Sequence, residues 1–165
     1  MTPVVRQSLV VAVALVAVSV SPTAQARQDY SGKWALSQSK STRGAAGNGA
    51  SISFGSELLV TQSATEVKVE SRYPRVEQTQ IVVFKLDGSE VTVPLPEGIT
   101  EKARAGFEGE KLVITARRVV STQFGDFTSE TKETWTRMGN VLTIQKSLNA
   151  DGVVSNETAW FDRQS

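Results

Sequence analysis

Cysteine and histidine are both absent from the 165 residues. Without them the chain has no thiol nucleophile, no imidazole general base and neither of the two residue types that hold structural zinc. Disulfides and lipid-modified cysteine are excluded as well, so hydrophobic burial and hydrogen bonds must stabilise the fold. We therefore expect no Ser–His–Asp relay, no metal site and no cofactor.

A clear excess of one charge is also missing, because Lys and Arg total 18 and Asp and Glu total 17. This balance argues against electrostatic capture of nucleic acid or of an anionic membrane. The carboxylates are scattered, and Glu130 and Glu133 fall on opposite faces of a strand. Ser37 and Lys40 form a Ser-x-x-Lys pattern, but the pattern lies in a Ser-rich loop without the helix that its chemistry needs. We predict a non-enzymatic protein.

The first 26 residues have the pattern of a secretory signal peptide. Arg6 supplies a positive start, Ser8 to Val20 is uncharged and apolar, and Ala24 to Ala26 is a small-x-small cleavage site. A membrane anchor is the alternative, but a spanning helix needs roughly 20 apolar residues and this run has about 13. Cleavage after Ala26 leaves one domain, residues 27–165, without a transmembrane segment. The predicted location is periplasmic or secreted.

From residue 31 onward, short β-rich runs alternate with turn signals such as Asp87–Gly88 and Gly139–Asn140. Turn signals at a spacing of roughly 8 to 12 residues are typical of all-β folds. A meander removes its exposed edges by closing on itself. We therefore predict an all-β, antiparallel up-and-down β-barrel of about eight to ten strands, with an open β-sandwich as the alternative. Few aromatic residues argue against an outer-membrane barrel.

Three stretches fall outside the predicted strands. Residues 37–55 are rich in Ser, Gly, Ala and Asn and are too long for an ordinary connection, so they form either a lid or a disordered loop. Residues 123–127 are predicted as a loop with two aromatics, Phe124 and Phe127, whose exposure would favour a protein partner. Residues 27–30 are predicted as a short polar lead.

The segment Gly32-Lys33-Trp34 resembles the Gly-x-Trp that opens the first strand of lipocalins and related calycin barrels. The chain also resembles small exported bacterial proteins described as lipocalin-like and uncharacterised. This resemblance implies that Arg163, at the end of the last strand, packs over Trp34 and closes the barrel. A guanidinium over an indole face contributes about 0.5–2 kcal/mol. Gly32, Trp34 and Arg163 are thus predicted to be architectural.

A candidate binding site lies on the strand that carries Glu133, Trp135 and Arg137, which share one face because they alternate by two. If Trp135 points inward, Arg137 does too, and its guanidinium then needs Glu133 or a ligand carboxylate as a partner. By analogy with fatty-acid-binding barrels, Arg137 is a candidate carboxylate ligand, with Arg104 and Arg117 as further candidates. The alternative is that these arginines lie on the outer face.

One apolar face would either line a cavity or fill the barrel. Its members are Leu58, Val60, Phe84, Leu112, Ile114, Leu142 and Ile144. A cavity favours an exported carrier of a small apolar or amphipathic ligand, with Trp135 and Phe84 among the contacts. A filled core favours an exported interaction or structural module that works through its surface.

Overall fold

The computed structural model describes residues 27–42, 54–73 and 77–165. The predicted signal peptide and residues 43–53 of the predicted 37–55 loop lie outside the described residues. Ten strands are present in the part that is described: β1 (Gly32–Leu36), β2 (Glu57–Gln62), β3 (Glu66–Tyr73), β4 (Gln78–Lys85), β5 (Val91–Val93), β6 (Ile99–Glu108), β7 (Lys111–Thr122), β8 (Gly125–Met138), β9 (Val141–Ala150) and β10 (Val153–Gln164).

The strands form one antiparallel sheet in the order β4-β3-β2-β1-β10-β9-β8-β7-β6-β5. Apart from β4 and β5, neighbours along the chain pair with each other, and the last strand pairs with the first through Trp34 and Arg163. β4 and β5 stand at the two ends of the hydrogen-bonded order and contact each other across the remaining seam. The prediction of an all-β up-and-down antiparallel barrel is confirmed.

Alternation of apolar and polar side chains explains which face of each strand points inward. On β2, Leu58 and Val60 are buried while Leu59 and Thr61 are exposed. All seven members of the predicted apolar face are buried. Tight turns then reverse the chain, and Gly139, with φ of +58°, adopts the left-handed conformation that such a turn requires.

The hairpin between β7 and β8 differs from the predicted 123–127 loop. β7 continues to Thr122 and β8 begins at Gly125, so the connection is only two residues long. Phe127 lies within β8 and pairs with Val120 of β7. The loop prediction was wrong here because cross-strand hydrogen bonds outweighed the turn-like composition of this segment. Phe124 at the tip is 84% exposed.

The base of the barrel is defined as the end that holds Tyr30 and Trp34. Residues 28–31, which directly precede β1, fill this end. Tyr30 is fully buried, and its hydroxyl lies 2.8 Å from the Trp135 carbonyl and 2.9 Å from the Glu110 carbonyl. Its backbone N–H donates to the Gln62 side chain at 3.1 Å. Residues 27–30, which were predicted to be a polar lead, therefore contribute in part to the core, because the Tyr30 side chain is buried.

Gly32, Trp34 and Arg163 meet at this base. Trp34 is fully buried, its indole N–H donates to the Tyr30 carbonyl at 3.0 Å, and the Arg163 guanidinium lies 5.5 Å from its ring centroid. Gly32 has φ of +144°, and a Cβ there would lie 3.2 Å from Arg163 Nε. A side chain at this position would therefore meet both backbone strain and the guanidinium.

We expect the Arg163→Ala variant to lose about 0.5–2 kcal/mol of the free energy of unfolding, because the cation–π contact with Trp34 is removed. Its hydrogen bond to the Ser31 carbonyl, 3.2 Å long, is lost as well. Urea denaturation measures the change. Arg117→Ala, on an exposed position of β7, is the matched control and should stay within about 0.5 kcal/mol of wild type. Equal losses in the two variants would contradict a closing role for Arg163.

Candidate functional site

The barrel encloses a cavity of about 410 Å³ that extends from its centre toward the end opposite the base. Ligand pockets in proteins span roughly 300–1,000 Å³. Strands from both sides of the β4–β5 seam contribute to the wall. The lining residues include Leu58, Tyr73, Gln80, Val82, Phe84, Ala103, Ile114, Ala116, Thr131, Trp135 and Ile144.

The inner part of the cavity wall is apolar. Trp135 and Phe84 are 2% and 7% exposed, and both line the cavity. Trp135 packs edge-on against Tyr30, with 6.2 Å between ring centroids. Leu58, Ile114 and Ile144 continue this surface, whereas Val60, Leu112 and Leu142 are buried without lining the cavity. The predicted apolar face therefore serves both as cavity wall and as packed core.

A row of charged side chains crosses the inner face on three adjacent strands. Lys146 Nζ of β9 lies 2.9 Å from Glu133 Oε1 of β8, and the two side chains are only 20% and 19% exposed. The indole N–H of Trp135 donates to the other oxygen of Glu133 at 3.0 Å. On the far side, Glu157 of β10 stands directly opposite Lys146 and is 5% exposed. The row places an ion pair against the cavity.

Electrostatics keeps both members of the Glu133–Lys146 pair charged. Burial alone would raise the pKa of Glu133, but the Lys146 ammonium and the hydrogen bonds from Lys146 and Trp135 outweigh it, so the pKa lies below its ordinary value of 4.5. Burial would lower the pKa of Lys146, but Glu133 opposes this effect and the pKa lies above 10.5. Both groups are thus ionised at neutral pH.

A second ion pair and a tyrosine lie nearer the end of the barrel opposite the base, which is called the open end. Arg118 Nε is 2.5 Å from Glu101 Oε2, across β7 and β6. Tyr73 lines the same region, and burial raises the pKa of its hydroxyl, with Glu133 adding to the rise and Lys146 and Arg118 opposing it. Its phenol therefore remains neutral and can donate a hydrogen bond into the cavity.

The structure places the predicted arginines away from this cavity. Arg137 shares the inward face of β8 with Trp135 but lies beyond it at the base, where its guanidinium donates to the carbonyls of Asp29 and Gly139. Its backbone N–H also bonds the Gln28 side chain, at 3.2 Å. Arg137 thus holds residues 28 and 29 in place, and Glu133, one of its two predicted partners, pairs with Lys146 instead.

Arg104 and Arg117 point to solvent on the outer face, where they border a shallow groove. Arg104 pairs with Glu90 at 3.3 Å. Arg104 directly follows the inward-facing Ala103, and Arg117 directly follows the inward-facing Ala116. Because successive side chains of a strand point to opposite faces, both arginines lie on the outer face. The alternation of these alanines with charged residues in the sequence therefore predicts the outer-face position of the two arginines.

Sequence reasoning missed Lys146, Glu101, Arg118 and Tyr73 as cavity residues. Lys146 sits two residues after the buried Ile144, and Arg118 two after Ala116, so the period of two placed both on the inner face. Their pairing depends on the register between strands, which one sequence does not reveal.

In the described ranges, no group of three or more acidic or metal-binding side chains is arranged to hold a metal ion. The described residues also contain no helix long and apolar enough to cross a membrane.

The pH dependence of stability tests the Glu133–Lys146 pair. Because the pKa of Glu133 is depressed by folding, its contribution is fully present above pH 4.5 and is lost as the pH falls through the lower folded value. We expect Glu133→Gln to be less stable than wild type by about 1–3 kcal/mol at neutral pH. The difference should shrink in acid. Urea denaturation over this range measures it, and parallel pH profiles would contradict the pairing.

The comparisons with known proteins bear on the fold. The crystal structure of a secretory abundant heat soluble (SAHS) protein from Ramazzottius varieornatus is similar, with a TM-score of 0.55 and 14% identity, over 82% of this chain and 95% of that one. SAHS protein 4 of the same organism matches with a TM-score of 0.47 and 22% identity, over 66% and 69% of the two chains. No protein-family model and no curated protein matches the chain. The first likeness supports the β-barrel fold.

Proposed function

We propose that this protein binds a small amphipathic molecule inside its barrel and acts as a carrier after export to the periplasm or the exterior. The observation that carries the proposal is the 410 Å³ cavity, which is apolar at its centre and polar toward its open end. A mostly apolar concave site with a few polar anchors is the usual form of a ligand pocket.

Two of the residues predicted from sequence are the proposed apolar contacts, Trp135 and Phe84. At the polar end, Tyr73 and the Glu133–Lys146 pair would orient the head of the ligand. Arg137, Arg104 and Arg117 are not part of this proposed site, because one holds the base and two face solvent.

Fluorescence titration tests the proposal with Nile red, an uncharged dye whose emission rises in an apolar site. Saturable binding of one dye per chain, displaced by an alkyl amphiphile, is the expected result. A signal that stays unsaturated, or that no amphiphile displaces, would count against a cavity carrier.

A protein-interaction module is the second candidate function, and one observation favours it. Phe124 and Phe127 at the β7–β8 hairpin are 84% and 52% exposed. Clustered exposed aromatics mark surfaces that contact other molecules. If this candidate is correct, Phe124→Ser with Phe127→Ser would abolish association with a partner and leave Nile red binding unchanged.

A further inference from the structure

The cavity ends, on the side of the base, at two aromatic side chains. Trp135 of β8 and Phe84 of β4 are the lining residues of their strands that lie nearest the base. Trp135 packs against the fully buried Tyr30, with 6.2 Å between ring centroids. Leu86, two residues after Phe84, is buried as well. A ligand chain that enters from the open end therefore stops at these two rings.

The depth of the cavity follows from the same two strands. On β8 every second residue from Ser129 to Trp135 lines the cavity, and on β4 every second residue from Gln78 to Phe84 does. Each run spans about 20 Å of strand, at about 3.3 Å per residue. Strands of a barrel tilt by roughly 35–45° from its axis, so the depth along the axis is about 15 Å. An extended alkyl chain advances about 1.25 Å per bond, and about 12 carbons therefore reach from the open end to the rings.

The volume of the cavity fits one such chain. A methylene group takes up about as much space as a water molecule, roughly 30 Å³. The 410 Å³ of the cavity therefore holds about 14 carbons, which agrees with the depth. A second chain beside the first would need about twice this volume. The cavity thus has the cross-section of a single alkyl chain.

The distribution of polar groups sets the direction of the chain. Leu58 and Val82 belong to the apolar part of the wall, whereas Gln78 lies at the other end of the lining run of β4. The Glu133–Lys146 pair also borders the cavity, but its two charges compensate each other. A polar head group keeps its hydrogen bonds and its contact with water only near the open end, because burial among apolar side chains is costly.

We propose that the cavity selects its ligands by chain length and takes a single unbranched alkyl chain of up to about 12 carbons. The tail lies against Trp135 and Phe84, and the head group lies at the open end. Longer chains leave their excess carbons in water, and lipids with two chains do not enter. The inference rests on the proposed function, since it names the ligand class of the same cavity.

Isothermal titration calorimetry tests the proposal with two homologous series, the alkylamines and the alkanoates from hexyl to hexadecyl. Each probe is kept below its critical micelle concentration. Every methylene group that becomes buried should raise the affinity about fourfold. We expect this rise to stop near the dodecyl member of both series, because further methylene groups stay exposed. Two series with opposite head-group charges separate the effect of chain length from that of the head group.

Two substitutions in the cavity wall should move this break in opposite directions. Ala103→Leu adds an isopropyl group at a lining position that is 2% exposed, so the break should come about three carbons earlier. Ile114→Ala removes the same number of carbons from the wall, so the break should come about three carbons later. Thr115→Leu, on the exposed outer face of β7, is the matched control and should leave the break in place. Circular dichroism monitors folding, and Ala103→Leu keeps the test decisive if Ile114→Ala does not fold.

The outcomes separate the two proposals. If no member of either series binds, the carrier function fails and chain-length selection fails with it. If the amphiphiles bind and their affinity still rises about fourfold per carbon up to the hexadecyl member, chain-length selection is overturned while the carrier function stands. A break that does not move in a folded Ala103→Leu variant, or that moves equally in Thr115→Leu, would also overturn it.

Discussion

Replacing Trp34 by alanine is expected to lower the free energy of unfolding by about 3–5 kcal/mol, the usual cost of truncating a large buried aromatic. The indole is fully buried, it donates to the Tyr30 carbonyl, and Arg163 lies over its face. Its loss would leave a cavity at the base and remove the contact that joins the first strand to the last. Urea denaturation followed by circular dichroism measures the effect.

Trp160→Ala is the matched control for this experiment. Trp160 lies on β10, opposite Thr143, and is 37% exposed. Because its ring is on the outer face, truncation should cost less than about 1 kcal/mol. Similar losses in the two variants would show that the base does not depend on Trp34 in particular.

The second large effect is expected from Ala116→Trp, which should weaken Nile red binding by at least about 100-fold, or about 2.7 kcal/mol. Ala116 lies on the inner face of β7 between Ala103 and Thr131, and it lines the cavity. An indole at this position would occupy the space that the ligand needs. Since the cavity is already present, the added volume should cause little strain.

Thr115→Trp provides the control for the blocked cavity. Thr115 is the neighbouring residue of the same strand, and its side chain is exposed on the outer face. The same indole placed there should leave dye affinity within about twofold of wild type, because it does not enter the barrel. Equal loss of binding in the two variants would indicate that the dye binds elsewhere.

Much of the fold follows from local chemistry that is readable in the sequence. The period of two assigns Leu58, Val60 and Ile114 to the interior. Turn dipeptides such as Asp151–Gly152, both with positive φ, divide the chain into hairpins. Because consecutive hairpins pair with their neighbours, the meander and its closure could be predicted.

The candidate site was less predictable because it depends on how strands are aligned. The sequence places Glu133, Trp135 and Arg137 on one face of a strand, and it leaves either Glu133 or a ligand carboxylate as the partner of Arg137. The β8–β9 register places Lys146 directly across from Glu133 instead. Arg137 lies two residues after Trp135, at the base of the barrel, where its guanidinium contacts Asp29. The depth of a position within a barrel is not encoded by periodicity alone.

Native mass spectrometry of residues 27–165, purified without detergent, tests most directly whether the barrel cavity binds a small amphipathic ligand. A cavity carrier predicts a bound mass that disappears on denaturation, or one that appears after incubation with dodecylamine or dodecanoate. A ligand-free mass that persists after exposure to both amphiphiles would contradict ligand binding in the cavity.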